Sequence, residues 1–155
     1  ISTIRALSVI ANGGKLVQPH LVKEINYIDG TVKMIASEPG LQVIQKETSD
    51  DVTNMLIEVV DKAIAKAHPD IKMEHYSIAA KTGTAQIANH GNGGYYSDRY
   101  LHSFFGYFPA YNPRFIVFLY QINPKGAQYA SETLVDPFVD LAKFIINYYE
   151  ISPDR

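Results

Sequence analysis

The run Lys81-Thr82-Gly83-Thr84-Ala85-Gln86 is the stretch of this chain best equipped for chemistry. Lys81 brings a cation and Thr82 and Thr84 bring hydroxyls, and together these groups can hold a carboxylate or orient a neighbouring hydroxyl. Ala79, Ala80, Gly83 and Ala85 are small, so a helix or an extended ligand can come close to the backbone here. The two-residue period of a strand places Lys81 and Thr82 on opposite faces. Both serve one site only if the ligand lies along the strand's margin or the strand twists sharply. An edge strand is therefore expected, one to which an extended peptide adds by main-chain hydrogen bonds.

Other chemistry-bearing residues carry less. Among the five histidines, His90 and His102 flank Asp98 but lack the i, i+4 helical spacing of a hydrolytic zinc site, and no metal is expected. Asn12-Gly13-Gly14-Lys15 and Gly91-Asn92-Gly93-Gly94 lack the spacing of a phosphate-binding loop and read as turns. Asp50-Asp51 reads as helix-start charge, and Tyr95-Tyr96 and Tyr148-Tyr149 as core and rim packing.

The elements that must position the Lys81 strand follow from periodicity and turn chemistry. Ile4, Leu7, Ile10 and Ala11 mark a short helix, with Ser2 or Thr3 as its cap and Asn12-Gly13-Gly14 as its left-handed stop. Residues 15–28 and 31–35 read as the two strands of a hairpin turning at Asp29-Gly30, and Pro39-Gly40 breaks the chain. Val52, Met55, Leu56, Val59, Val60, Ala63 and Ile64 form a helical stripe; Thr48 and Asp51 suggest its capping box, and His68-Pro69 its end. A strand over 76–87, a long polar loop over 89–99, and two apolar strands over 103–108 and 114–122 follow. Val135, Phe138, Leu141, Ala142, Ile145 and Tyr148 mark a last helix with Pro137 in its first turn. Helices segregated from mostly antiparallel strands make the class α+β.

The totals agree with one domain of ordinary globular composition: 155 residues, 46% apolar and 19% charged. A formal charge of -2 supplies no field for nucleic acid. The chain holds no cysteine, hence no disulfide, thiolate metal site or cysteine nucleophile. No apolar stretch approaches the roughly 18 residues of a membrane span. Ile1 opens the chain with neither methionine nor a signal-like segment, as expected of a piece of something longer.

The run from Ile78 to Gln86, followed by Ser103-Phe104-Phe105-Gly106-Tyr107-Phe108-Pro109-Ala110, resembles the C-terminal part of the transpeptidase domain of class B penicillin-binding proteins. The resemblance continues in Ile10 to Gly14, Pro19 to Val22, Asn112-Pro113-Arg114, Asn123-Pro124-Lys125-Gly126 and Asp136-Pro137-Phe138, so it covers nearly the whole chain in the right order. It implies an antiparallel sheet packed by helices, a partial serine β-lactamase-like fold lacking its N-terminal part, with 1–155 as a single incomplete domain. Carried onto these positions, Lys81 takes part in the charge network around a serine nucleophile. Thr82 and Thr84 bind the carboxylate of a terminal D-alanine or of a β-lactam, the Thr84 N–H is an oxyanion donor, and Gly83 keeps the strand open. Members acylate that serine with a peptidoglycan stem peptide and pass the acyl group to a neighbouring amine, with no cofactor. The implied location is the outer face of a bacterial cytoplasmic membrane, where an anchor absent from this chain holds the parent; this segment itself is expected to touch no membrane. The stretch Phe104 to Pro113 leans towards the division branch. A serine β-lactamase also carries Lys-Thr-Gly, but Thr84-Ala85-Gln86 and the final segments favour the synthetic enzyme.

This chain departs from the family pattern in Ala80, where glycine usually precedes the lysine, and in residues 128–134, which lack the paired glycines expected there. More consequential is what is missing. No serine has lysine three residues on and none has asparagine two residues on, so the Ser-x-x-Lys and Ser-x-Asn motifs that supply nucleophile, base and amide are absent. Without a nucleophile the chain alone is expected to form no acyl-enzyme. Truncation is also expected to leave an apolar face or strand edge open to a partner: the missing N-terminal part of the domain, or a second copy. A competing reading makes the chain a non-catalytic peptide-binding or assembly module that uses the open edge without chemistry.

Overall fold

A computed structural model describes residues 1–36, 40–91 and 93–155. Among them no helix is long and apolar enough to cross a membrane. The chain forms two compact units, Ile1–Asp50 and Asp51–Arg155.

In the first unit, α1 (Ser2–Ala11) stops where Gly13 and Gly14 adopt φ of 63° and 87°, as their type allows. Its N-cap is Ile1 and no side chain caps it, so neither Ser2 nor Thr3 has the expected role. The expected hairpin forms only near its turn. There β2 (Glu24–Asn26) pairs antiparallel with β3 (Val32–Met34), and Asp29 Oδ1 accepts from the Thr31 N–H at 2.9 Å and the Thr31 hydroxyl at 2.7 Å. Those two bonds hold the Asp29 carboxyl below its ordinary range. Residues 15 and 16 do not extend this hairpin: β1 (Lys15–Leu16) pairs with β4 (Leu41–Gln42). The Gly14 carbonyl draws the returning chain in, accepting from the N–H groups of Val43 and Ile44 at 2.9 and 3.3 Å. Pro39 of the expected Pro39-Gly40 break, and Asn92 of the glycine-rich stretch, lie outside the described residues.

The boundary between the units falls inside α2 (Lys46–Glu58), which continues through a π turn (Val59–Ala63) and a 3-10 turn (Ile64–Lys66). Because α2 starts at Lys46, Thr48 and Asp51 form no capping box, and Asp50 pairs with Lys46 Nζ at 2.5 Å instead of facing a helix start. Beyond that pair the buried stripe is Thr53, Ile57, Val60 and Ile64, whereas Met55 and Ala63 are exposed. The π turn adds a residue to the helical repeat and shifts the stripe from the even periodicity read in the sequence.

In the second unit β5 (Ala79–Ala88), β6 (Tyr95–Phe108) and β7 (Phe115–Ile122) form one antiparallel sheet in the order β5-β6-β7. The long loop expected over 89–99 shrinks to a turn, because β6 begins at Tyr95. Gly93 and Gly94 reverse the chain with φ of 74° and 70°, and Asn89 N–H bonds the Gly94 carbonyl at 2.9 Å. A two-stranded arm wet on both faces has a polar composition like that of a loop.

Helix α3 (Ser131–Tyr148) covers the face of the sheet that carries Phe104 and Phe108. Phe138 lies 4.6 Å from Phe104 and 6.1 Å from Phe108, ring centre to ring centre, in a core with Ile78, Ala80, Val117, Leu134, Val135 and Ala142. Burying Phe138 stabilises this packing by about 2–3 kcal/mol. The helix starts earlier than the sequence suggests, since Glu132 Oε2 accepts from the N–H groups of Gln128 and Tyr129 at 2.8 and 2.7 Å. Pro137 therefore sits in the helix interior and withholds an N–H from the Thr133 carbonyl. Past α3 the chain is tied back: Asp154 accepts from the N–H and hydroxyl of fully buried Ser77, and Arg155 pairs with Asp61 at 2.8 Å.

Candidate functional site

Among the described residues β5 has β6 on one side and no strand on the other, so the Lys81 motif lies on an open edge, as its pattern of small and polar residues requires. Cross-strand partners assign each side chain to a face. Lys81 opposes Phe105 and Gly83 opposes Ser103 on one face, while Thr82 opposes Phe104 and Thr84 opposes His102 on the face covered by α3. Lys81 and the two threonines thus meet only along the edge.

The direction of the backbone groups follows from the alternation of an antiparallel ladder. The Tyr100 carbonyl accepts from the N–H of Asn123 at 2.7 Å, and the Phe108 carbonyl from that of Arg114 at 3.2 Å. The even residues of β6 therefore turn to β7 and the odd ones, Ser103 and Phe105 among them, to β5. Their partners Gly83 and Lys81 bond back to β6, which leaves the N–H and C=O of Thr82 and Thr84 directed off the open edge. The exposed Lys81 ammonium donates to the Thr82 carbonyl at 2.7 Å, which requires that carbonyl to lie outside the ladder.

Thr84 has a second contact. Its hydroxyl oxygen accepts from the Ala130 N–H at 2.9 Å, just before α3, a bond that does not use the hydroxyl proton. Along this edge β5 thus carries an ammonium on one face, a hydroxyl on the other and an outward backbone N–H between them. A cation, a hydroxyl and an outward N–H along an open strand edge are the kinds of group that bind an anionic end of an extended peptide.

Gly83 has a local reason to be glycine. A Cβ there would lie 2.6 Å from Ser103 Oγ, which reaches the Gly83 carbonyl at 3.4 Å. That partner is a carbonyl and takes no proton, so Ser103 is not activated as a nucleophile. On the same face Tyr120 and Ile122 of β7 remain 63% and 64% exposed, and β7 has no strand on its outer side among the described residues. The uncovered apolar surface and open edge expected from the sequence are both present.

His102 is fully buried, with its ring nitrogens on Thr133 and Gln128, while His90 is exposed. Among the described residues no group of three or more His, Cys, Asp or Glu is placed to hold a metal ion. Tyr95 is exposed and Tyr96 stacks under Arg99 at 4.0 Å, so this pair is rim and not core. Sequence reasoning missed Ser103, His102 and Ala130 as neighbours of the motif. The first two follow from the β5–β6 register, which an imagined eleven-residue loop left undetermined.

The family model described as the penicillin binding protein transpeptidase domain matches residues 1–140. Penicillin-binding protein PbpB of Mycolicibacterium smegmatis is 32% identical over 94% of this chain and 24% of its own length. Stage V sporulation protein D of Bacillus subtilis is 34% identical over 90% of this chain and 21% of its own. The chain thus spans less than a quarter of these relatives. Among solved structures, penicillin binding protein 3 of Mycobacterium tuberculosis superposes with a TM-score of 0.81 at 28% identity, over 98% of this chain and 35% of that one. The same protein complexed with ampicillin superposes with a TM-score of 0.81 at 26% identity, over 97% and 35%.

Proposed function

The chain belongs to the penicillin binding protein transpeptidase domain family, and from that premise we propose that it supplies the ligand-binding strand of a peptidoglycan D,D-transpeptidase. The observation that carries the reading is the open edge of β5, which has Lys81, with its ammonium on the Thr82 carbonyl, on one face and Thr84, with its hydroxyl oxygen held by the Ala130 N–H, on the other.

In this reading a D-alanyl-D-alanine stem peptide, or a β-lactam, lies along the edge as an added strand. Thr84 donates its hydroxyl proton to the terminal carboxylate, and Thr82, whose backbone groups face the same way, aligns the chain beside it. The Thr84 N–H stabilises the oxyanion formed when a serine attacks the carbonyl. Lys81 contributes positive charge to the proton network around that serine and leaves the transferred acyl group untouched. The serine, its lysine and the Ser-x-Asn pair belong to the remainder of the domain. The 155 residues by themselves therefore form no acyl-enzyme. The acceptor is an amine on a neighbouring stem, and the parent works at the outer face of the cytoplasmic membrane. Other curated relatives are peptidoglycan D,D-transpeptidases by name, FtsI of Buchnera aphidicola among them. The solved complexes with aztreonam and ampicillin support β-lactam as a ligand class.

The test is covalent labelling by a fluorescent penicillin, read by denaturing electrophoresis. The complete gene product is expected to label, Lys81→Met to slow labelling at least ~100-fold, and the 155-residue chain alone to stay dark. A complete gene product that never labels overturns the transpeptidase reading. A labelled 155-residue chain contradicts the claim that the nucleophile lies elsewhere.

A further inference from the structure

We infer that His102 is a positioning residue for the ligand-facing hydroxyl of Thr84, an assignment that rests on the proposed function. His102 stands opposite Thr84 in the β5–β6 ladder, on the α3 face, and is fully buried. A buried imidazole is costly unless both nitrogens are engaged, and here they are: Nδ1 lies 2.9 Å from the Thr133 hydroxyl and Nε2 3.1 Å from the Gln128 carbonyl. A carbonyl only accepts, so Nε2 carries a proton.

Those two partners bracket one short segment. Between them Glu132 Oε2 takes the N–H groups of Gln128 and Tyr129, closing the turn on itself. The next N–H, that of Ala130, is the one that leaves the turn, and it goes to Thr84 Oγ1. Thr133 Oγ1 also reaches the Ala130 carbonyl at 3.4 Å. His102 therefore clamps both ends of the turn whose middle residue holds the Thr84 oxygen. With that oxygen held as an acceptor from Ala130, its proton is turned away from the Ala130 N–H and is free to reach a carboxylate at the edge. Paired glycines at 128–134 would leave this turn loose; the residues present replace them with a side-chain clamp.

The experiment uses the complete gene product and compares acylation by a fluorescent penicillin with acylation by its carboxyl methyl ester. Thr84→Val should slow the acid form roughly tenfold more than the ester, the worth of one hydrogen bond to a charged group. His102→Phe and Thr133→Val should give the same selective loss. His102→Gln, which keeps a donor for the Gln128 carbonyl, should recover most of it, and His102→Phe combined with Thr84→Val should be no worse than either alone. If His102→Phe fails to fold, Thr133→Val carries the comparison. Equal losses for acid and ester, or additive losses in the double variant, would make His102 mere scaffold and overturn the assignment. Failure of the unmutated protein to label at all removes the underlying reading and this one with it.

Discussion

Gly106 stands opposite Ala80 across the β5–β6 ladder, and a side chain at 106 would begin 3.1 Å from Ala80 Cβ and 2.6 Å from Phe138 Cζ. The family pattern places glycine where this chain has Ala80; here the methyl is accommodated because its partner across the strand has none. Phe138 fills what space remains and seats α3 on the sheet. Gly106→Ala should therefore destabilise the chain by about 1–3 kcal/mol through overpacking, despite the better intrinsic propensity of alanine. Ala80→Gly should cost less, about 0.5–1 kcal/mol, because it only loosens the strand. Urea unfolding of both variants measures the order; equal costs would show that Phe138 yields freely.

The buried Tyr107 hydroxyl meets Thr53 Oγ1 at 2.6 Å. Burial raises the phenol above its ordinary 10.0, with the Thr53 bond opposing in part. A group whose pKa is higher in the folded state contributes stability that is complete below its unfolded value and lost as pH rises through the folded one. Stability should thus decline above pH 10.0, and Tyr107→Phe should flatten that decline. Melting curves between neutral and strongly alkaline pH decide it: an unchanged slope in the variant would assign the loss to other groups.

Gly83 and Ser103 compete for one volume. In Gly83→Ala the new methyl would meet Ser103 Oγ at 2.6 Å, and the hydroxyl must rotate away from the Gly83 carbonyl. The expected cost is about 1 kcal/mol, and it should largely vanish in a Ser103→Ala background, giving a coupling of similar size. A double-mutant cycle by denaturant unfolding tests this. Additive costs would mean that Gly83 answers to the backbone and not to Ser103.

Asp154 anchors the C-terminal tail by accepting from both the N–H and the hydroxyl of buried Ser77, whose oxygen in turn accepts from the Ala110 N–H at 2.8 Å. Asp154→Ala strands those donors and should cost about 1–3 kcal/mol. Hydrogen exchange at the Ser77 and Ala110 amides should rise in step. Unaltered protection at both would show that water replaces the carboxylate without penalty.

Much of the site was legible because its information is local. Four small residues around an ammonium and two alcohols pointed to an edge strand, and β5 is one. The helix stop at Gly13-Gly14 and the turn at Asp29-Gly30 were likewise written in residue types whose backbone preferences act over a few positions. The apolar strands ending at Phe108 and starting near Phe115 were readable for the same reason.

What the amino-acid order determined by itself was therefore the existence and type of most helices and strands, though not the arm from Tyr95 or the strand limits before Glu24, and the short motif that is the candidate for ligand chemistry. Tertiary structure alone decided who faces whom: β1 with β4, Thr53 with Tyr107, His102 opposite Thr84, and Ala130 on the Thr84 hydroxyl. Each of those pairings joins residues far apart in the chain. Their free energy comes from burial and from satisfying polar groups that no local window contains, so no propensity or spacing within one segment could reveal them.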